Sequence, residues 1–456
     1  MMKAPARIGA LACALALSGC ASYHALPLPT QARLANDITD LQRAIPETGS
    51  GAGPHIIAID KPIHVDDVGL LAILNDPELR SERGESALAH ADLTQSTLIP
   101  NPSVSLSYAA LLGGPGVAGA YTASLAQDVA SLVTYRSRVA AAHDRVSQVN
   151  ADLLWKEWQI AQKARLLATT LYWNGQAIRA SGGELAAVTQ TESQMAQALN
   201  RGEISLSAIS PVQASKASLE QALAALQMQQ LKNWGELNTL LGLKPNVRFA
   251  IARPQPHALP NDLTKLAASV QDRRPDLIAL QLGYRSADQD VRTAILGQFP
   301  ALLLGGSWNS DTSQVRSGGP TVTFDLPTFS RNQGQVAKTR ATRLLLHEQY
   351  QSRLDTSAAS VLSLQAQNQA ITTQLAAAAK NVHTADLQVH AAKAAFDAGN
   401  LDSRTLADYR STALARTLQR LDLERARDET AIALELELGL GLPHVRIAPM
   451  DEVKSL

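Results

Sequence analysis

The sequence repeats itself at an offset of about 197 residues. Pro77-Glu78-Leu79, Pro100, Asp128, Gly202 and Gly242 are matched by Pro275-Asp276-Leu277, Pro300, Asp325, Gly399 and Gly439. The five offsets are 198, 200, 197, 197 and 197. A unit this long is not a solenoid repeat. Two copies in one chain imply an internally pseudo-symmetric body in which shape carries the function.

Each copy reads in the same order. Asn75-Asp76-Pro77 and Asp272-Arg273-Arg274-Pro275 are helix starts with proline at the first helical position. Each helix runs toward Pro100 or Pro300. Strand patterns follow. Ser103 to Tyr108 and Tyr121 to Leu125 alternate with period two, as does Thr321 to Leu326, and Ala301 to Trp308 does so weakly. Gly113 to Gly116 is a loop, with no Lys-Ser/Thr at phosphate-loop spacing. Ser317-Gly318-Gly319-Pro320 reads as the matching loop. Val104, Leu106, Tyr108, Tyr121, Val322 and Phe324 fall on apolar positions and Ser/Thr on the others. A barrel wall between lipid and water needs that alternation; a soluble sheet with one wet face would show it too.

Helical stretches from about Ser131 to Asn200 and Gln333 to Ala398 come next. Each would be roughly 100 Å long and needs coiled-coil partners. Leu375, Val382, Val389 and Phe396 recur every seven residues, with Ala378, Ala385 and Ala392 between them. The first copy gives Ile178, Leu185, Glu192 and Leu199, with Ser181, Val188 and Met195. These are left-handed coiled-coil seams. Glu192 interrupts its seam, best read as a carboxylate reaching a solvated edge, and Gly182-Gly183 should soften the helix locally. Turns at Arg201-Gly202-Glu203-Ile204-Ser205 and Ala398-Gly399-Asn400-Leu401-Asp402 lead into return helices, about Leu206 to Leu241 and Ser403 to Leu438.

At the N-terminus Lys3 and Arg7 precede an apolar run from Ile8 to Leu17, too short to span a membrane. Leu17-Ser18-Gly19-Cys20 resembles a bacterial lipoprotein cleavage box, which implies cleavage before Cys20 and its lipidation. Ala21 in place of Asp favours the outer membrane; an ordinary signal peptide with an incidental cysteine is the alternative. With Cys13 removed, the mature chain has no disulfide. Residues 20–62, broken by Pro27, Pro29, Pro46, Pro54 and Pro62 and flexible at Gly49 to Gly53, read as a tether wrapping the outside of the body. The full division is 1–19 signal, 20–62 linker, 63–243 first repeat, 244–262 linker, 263–441 second repeat and 442–456 tail.

Lys+Arg and Asp+Glu number 41 each, so there is no basic footprint for nucleic acid. Aromatics at 4% suit helices packed through small side chains. No mature apolar run reaches about 18 residues, so any crossing must be a barrel. Four strands per chain cannot close one, whereas three chains would supply twelve.

Arg273-Arg274-Pro275-Asp276-Leu277, a helix ending at Phe299-Pro300, and Phe324-Asp325-Leu326-Pro327-Thr328-Phe329 resemble the TolC-like outer-membrane efflux proteins. The likeness covers nearly the whole mature chain. It implies a homotrimeric channel-tunnel: a mostly α fold, with a twelve-strand membrane barrel above a twelve-helix periplasmic barrel. It also implies docking to a periplasmic adaptor, which connects to an inner-membrane pump. No catalytic residue, metal or cofactor is expected. The alternative is a periplasmic coiled-coil scaffold lipoprotein that carries nothing.

In that family the tips close the tunnel and meet the adaptor. Here they are Arg201, Gly202, Glu203, Ser205, Gly399, Asn400, Asp402 and Arg404. Asp408 stands where some members place a pore-facing carboxylate; a solvated helix charge is the other reading. Thr405 replaces a second acid and Pro211 is the first-copy counterpart. His383 and His390, a heptad apart, read as a metal-contacting wall or, more simply, as solvated side chains. Arg273 and Arg274 read as a structural helix-start motif beside Asp272 and Asp276 rather than an anion site.

Overall fold

The computed structural model describes residues 23–45, 55–255, 257, 260 and 262–447. The signal segment, Cys13, Cys20, Gly49 to Gly53 and residues 448–456 lie outside them. Residues 23–34 are exposed and without regular structure, and the chain from Ala35 onward forms one compact unit.

The unit contains strands β1 (Ala44–Ile45) and β2 (His55–Ile56), and helices α1 (Val65–Asn75) and α2 (Pro77–Thr97). They are followed by β3 (Ser103–Ala109), β4 (Ala120–Asp128), α3 (Ala130–Asn200) and α4 (Leu206–Leu240). A short α5 (Leu263–Ala267) leads to the second copy: α6 (Pro275–Leu296), β5 (Leu302–Ser310), β6 (Arg316–Phe324), α7 (Gln333–Asp397) and α8 (Ser403–Leu438). The duplication is therefore real, element by element. No described helix is long and apolar enough to cross a membrane.

Pro77 and Pro275 stand at the first turns of α2 and α6. Asp76 caps α2 by accepting from the backbone N–H groups of Glu78 and Leu79, at 2.8 and 3.0 Å. At the far ends of α3 and α7, Gly202 and Gly399 both take φ +76°, the left-handed conformation that lets the chain reverse into the return helix. α3 runs unbroken through Gly182 and Gly183.

The heptads pack as their spacing requires. Ser181, Val188 and Met195 are buried on α3, and Ala378, Ala385 and Ala392 on α7, while the alternate seam positions are half-buried. Glu192 is not at a solvated edge. It is half-buried and accepts from Lys216 of α4 at 2.8 Å, so the break in the seam is filled by an ion pair.

α3 is the central helix, packing on α1, α2, α4, α6 and α8. The main core joins Leu71 and Val68 of α1, Ala164 and Ala168 of α3, Leu237 of α4 and Ile432 of α8. Ile38, Leu41, Ile57 and Ile63 belong to the same core, and Ala35 and Ile63 pair with Leu243 and Ile251. Residues 35–45 and 57–63 are thus built into the body instead of wrapping it, because their isoleucines and leucine supply core surface.

One four-stranded antiparallel sheet, in the order β3-β4-β5-β6, unites the two copies. The β5–β6 turn is at Asp311–Val315, where the Asp311 carboxylate accepts from Ser313 and Val315 N–H groups at 2.8 and 2.9 Å. Ser317 to Pro320, expected as a loop, lies inside β6. The physical reason is on β5. A Cβ at Gly318 would come 3.2 Å from the Ser307 carbonyl oxygen, tighter than an ordinary contact, so the glycine lets the two backbones approach within the ladder.

Candidate functional site

The sheet has two chemically different faces. The register places Tyr108 opposite Tyr121, Leu106 opposite Ala123, and Val104 opposite Leu125. It continues with Ala123 opposite Trp308, Leu304 opposite Val322, and Leu302 opposite Phe324. Side chains alternate along a strand, so Val104, Leu106, Tyr108, Tyr121, Trp308, Val322 and Phe324 share one face. Ser103, Ser105, Ser107, Thr122, Ser124, Ser307, Asn309, Thr321 and Thr323 share the other. The register puts on one surface the six residues that the sequence alternation grouped together.

That apolar face is uncovered. Val104, Leu106 and Tyr108 are 68, 78 and 72% exposed, and Val322 and Phe324 are 59 and 55% exposed. β3 and β6 each keep one unpaired edge among the described residues. A soluble sheet would cover such a face with a second layer and would blunt its edges.

The tips form the opposite end of the long helices. Arg201 holds Glu203 in a two-pronged pair at 2.7 and 3.0 Å. Their hydrogen bond raises the guanidinium pKa and lowers that of the carboxyl. Asp402 caps α8, accepting from the Thr405 N–H at 2.9 Å and its hydroxyl at 2.8 Å. Those bonds hold the carboxyl below its ordinary range. Thr405 therefore has a structural task of its own. The first copy lacks this cap: Ser205 makes no side-chain cap bond, and Pro211 removes an N–H inside α4. Gly202, Gly399, Asn400, Arg404 and Asp408 are exposed in the single chain.

Two tip residues escaped the sequence reading. Ser403 Oγ donates to the Ala208 carbonyl at 2.6 Å, and Arg410 donates to Thr191 Oγ1 at 3.2 Å. Both tie the second copy's return helix to the first copy. They are 195 and 219 residues apart in the chain, and no local pattern points to them.

Between sheet and tips the copies are joined by buried charge. Arg274 is 3% exposed, pairs with Asp276 at 2.8 Å and with Glu437, donates to Ser357 at 2.9 Å and covers the Trp155 ring at 4.6 Å. Arg165 binds Glu435 at 2.5 Å and Asp66 at 2.7 Å. The helix-start arginine is thus a structural clamp, and Arg273 makes no ion pair among the described residues. His383 and His390 are exposed, and no described group of His, Cys, Asp and Glu has metal-site geometry.

The sheet thus has one apolar, uncovered face and one Ser/Thr face, and it sits at one end of helical hairpins whose longer helices run roughly 100 Å. Residues 266–440, nearly the whole second copy, match the protein family described as outer membrane efflux protein. Solved structures share the fold. The Campylobacter jejuni CmeC outer membrane channel superposes with a TM-score of 0.70 at 15% identity, covering 83% of this chain and 86% of that one. The outer membrane protein VceC of Vibrio cholerae gives 0.67 at 18%, covering 82% and 96%. The open-state Neisseria gonorrhoeae MtrE outer membrane channel gives 0.63 at 17%, covering 92% and 97%. No curated protein sequence matches the chain.

Proposed function

We propose that three copies of this chain form a passive outer-membrane duct that receives substrates from a periplasmic adaptor and an inner-membrane pump. The observation that carries this reading is the two-faced sheet with free edges at β3 and β6. Pairing β6 of one chain with β3 of the next would close twelve strands, apolar side to lipid and Ser/Thr side to water. The helices support the same closure. α6 packs on both α3 and α7, while its counterpart α2 packs chiefly on α3. The open flank of α2 would take α7 of the neighbouring chain. The tips would then form the gate and the adaptor-docking end, at Arg201, Gly202, Glu203, Ser205, Gly399, Asn400, Asp402, Arg404 and Asp408. Cys20 would carry the lipid anchor, with residues 63–243 and 263–441 as the two repeats. The chain performs no covalent chemistry in this reading and needs no cofactor.

The test is conductance of the purified protein in a planar bilayer, joined to in-cell crosslinking and identification of captured partners. A heat-modifiable oligomer that conducts ions and captures an adaptor and pump supports the duct. A non-conducting monomer that captures only cell-wall or envelope scaffold proteins would replace it with the scaffold reading.

A further inference from the structure

We propose that the sheet end of the helical body holds a glycerophospholipid of the periplasmic leaflet, its acyl chain in one crevice and its phosphate on Arg138 at the entrance to the next. The inference rests on the reading that the apolar sheet face meets lipid.

The first crevice, about 800 Å³, lies where β4, β5 and β6 meet the start of α3 and the end of α6. Val129, Val133, Leu296, Phe299, Leu302 and Phe324 give it an apolar wall. Leu302 and Phe324 are directly paired across the sheet and belong to its apolar face, so the crevice continues that face toward the helices. Phe299 is 67% exposed and Val133 49%. An acyl chain would remove this surface from water at about 25 cal/mol per Å².

The second crevice, about 620 Å³, lies among α2, α3, α6 and the start of α7. Its wall is the more polar of the two: Ser96, Arg145, Asp290, Asn332 and Gln335 stand among Ala89, Ala141, Ala142 and Ala294. Thr134, Arg138 and Gly297 line both crevices, so they are adjoining chambers, one mainly apolar and one mixed. That is the shape of an amphiphile with one apolar and one polar end.

Arg138 sits at the join. Its Nε and Nη2 donate to the carbonyls of Ser96 and Leu98 at 3.3 and 3.2 Å. Those bonds aim the half-buried guanidinium and leave Nη1 for a ligand. Among the described residues no carboxylate pairs with it. By contrast Asp290, in the same polar chamber, is held by Arg145 at 3.3 Å. A partly desolvated guanidinium calls for an anion, and a phosphate diester takes charge-assisted bonds from it. Arg136 on α3, Arg331 just before α7, and Lys338 and Arg340 near the start of α7 are exposed, with no ion pair among the described residues. Cations just beside a membrane attract lipid headgroups. Asp92, exposed and also lining the polar chamber, would tolerate a headgroup ammonium.

The experiment is native mass spectrometry of the full-length protein in detergent, titrated with palmitoyl-oleoyl-phosphatidylglycerol. The wild type should retain one lipid per chain. Arg138→Met should weaken retention about tenfold, the loss of one charge-assisted phosphate contact. Val133→Glu places a carboxylate in the acyl chamber at a half-exposed position that the fold does not need. It should abolish retention while leaving the thermal melt unchanged, which covers the case in which Arg138→Met merely loosens α2. Equal retention in wild type and both variants overturns the inference, as does loss in Arg138→Met alone. Protein that holds the lipid but conducts no ions keeps the site and removes the channel. Protein that conducts, with lipid retention equal in every variant, keeps the channel and removes the site.

Discussion

Ser403 Oγ donates to the Ala208 carbonyl at 2.6 Å, joining the first turn of one copy's return helix to the other copy's. In the proposed gate, tips that open by parting the two copies would break this bond and the Arg410–Thr191 contact. Each is worth about 1 kcal/mol net. The double variant Ser403→Ala/Arg410→Ala should therefore raise the open population of a closed duct by ten- to thirty-fold. Single-channel recording reads this as longer or larger openings, and unchanged recordings would mean that these bonds do not restrain the tips.

Asp402 and Ser205 make the tips unequal, because only Asp402 caps its helix. Asp402→Ala should speed amide exchange in the first turn of α8 roughly fivefold, the usual effect of losing a cap. Its pH dependence follows from the lowered pKa. The Thr405 backbone N–H, then its hydroxyl, favour the charged carboxylate. The cap is therefore fully present above the unfolded value of 3.8 and is lost as pH falls below it. Hydrogen exchange at pH 7 and pH 3 should show α8's first turn approaching α4's only at the lower pH.

These tips also show how far the sequence could be read. Gly202 and Gly399, the heptad alanines and the helix-start prolines are local signals, and each falls where its pattern placed it. Ser317 to Pro320 misled because glycine and proline suggest a turn by composition, while Gly318 sits close against the Ser307 carbonyl of the partner strand. The Asp402–Thr405 cap spans three residues and was readable as Asp-x-x-Thr, yet Thr405 drew attention only as a missing acid. Ser403 to Ala208 and Arg165 to Glu435 span 195 and 270 residues, and one sequence alone carries no signal for such pairs.

Asp152 on α3 is a carboxyl moved toward neutral pH, and Asp144, Glu184 and Asp290 are raised by burial as well. Burial pushes its carboxyl up to about 6; Lys156 opposes the shift and Asp276 adds to it. Lys156 itself is engaged by Glu82. A folded pKa above the unfolded 3.8 means the folded chain binds more protons, so stability falls as pH rises from about 4 to about 6 and stays lower above. Asp152→Asn should reduce that slope and stabilise the protein at pH 7 by about 1 kcal/mol, after allowing for solvent screening at a partly exposed site. Melting curves from pH 4 to pH 8 decide it; a slope unchanged in the variant assigns the titration elsewhere.

Arg273 and Arg274 are adjacent in sequence and opposite in consequence. Arg274→Ala would leave Asp276 and Glu437 without their buried cation and uncover Trp155, at a cost of about 3–5 kcal/mol. Arg273→Ala should stay within about 0.5 kcal/mol, since its side chain makes no ion pair among the described residues. Asp408→Ala should likewise change cation preference only slightly, because the residue is exposed on α8 and its first-copy counterpart is Pro211. Denaturant melts test the arginines, and reversal potentials in a salt gradient test Asp408.

Leu106 and Ser105 are neighbours on β3 that point to opposite faces of the sheet. Leu106 is 78% exposed on the apolar face, so an arginine there meets no protein atom it could disturb. In a water-soluble sheet Leu106→Arg would be neutral or helpful. In a barrel wall it would place a charge against hydrocarbon, at about 2–4 kcal/mol per chain near the midplane. Three chains would multiply that cost, and assembly in the outer membrane should fall sharply. Ser105→Arg, on the Ser/Thr face, should assemble normally and alter only the ion selectivity. Fractionating membranes from cells that express each variant separates the two environments. Equal outer-membrane yield for Leu106→Arg and Ser105→Arg would mean that the apolar face does not meet lipid.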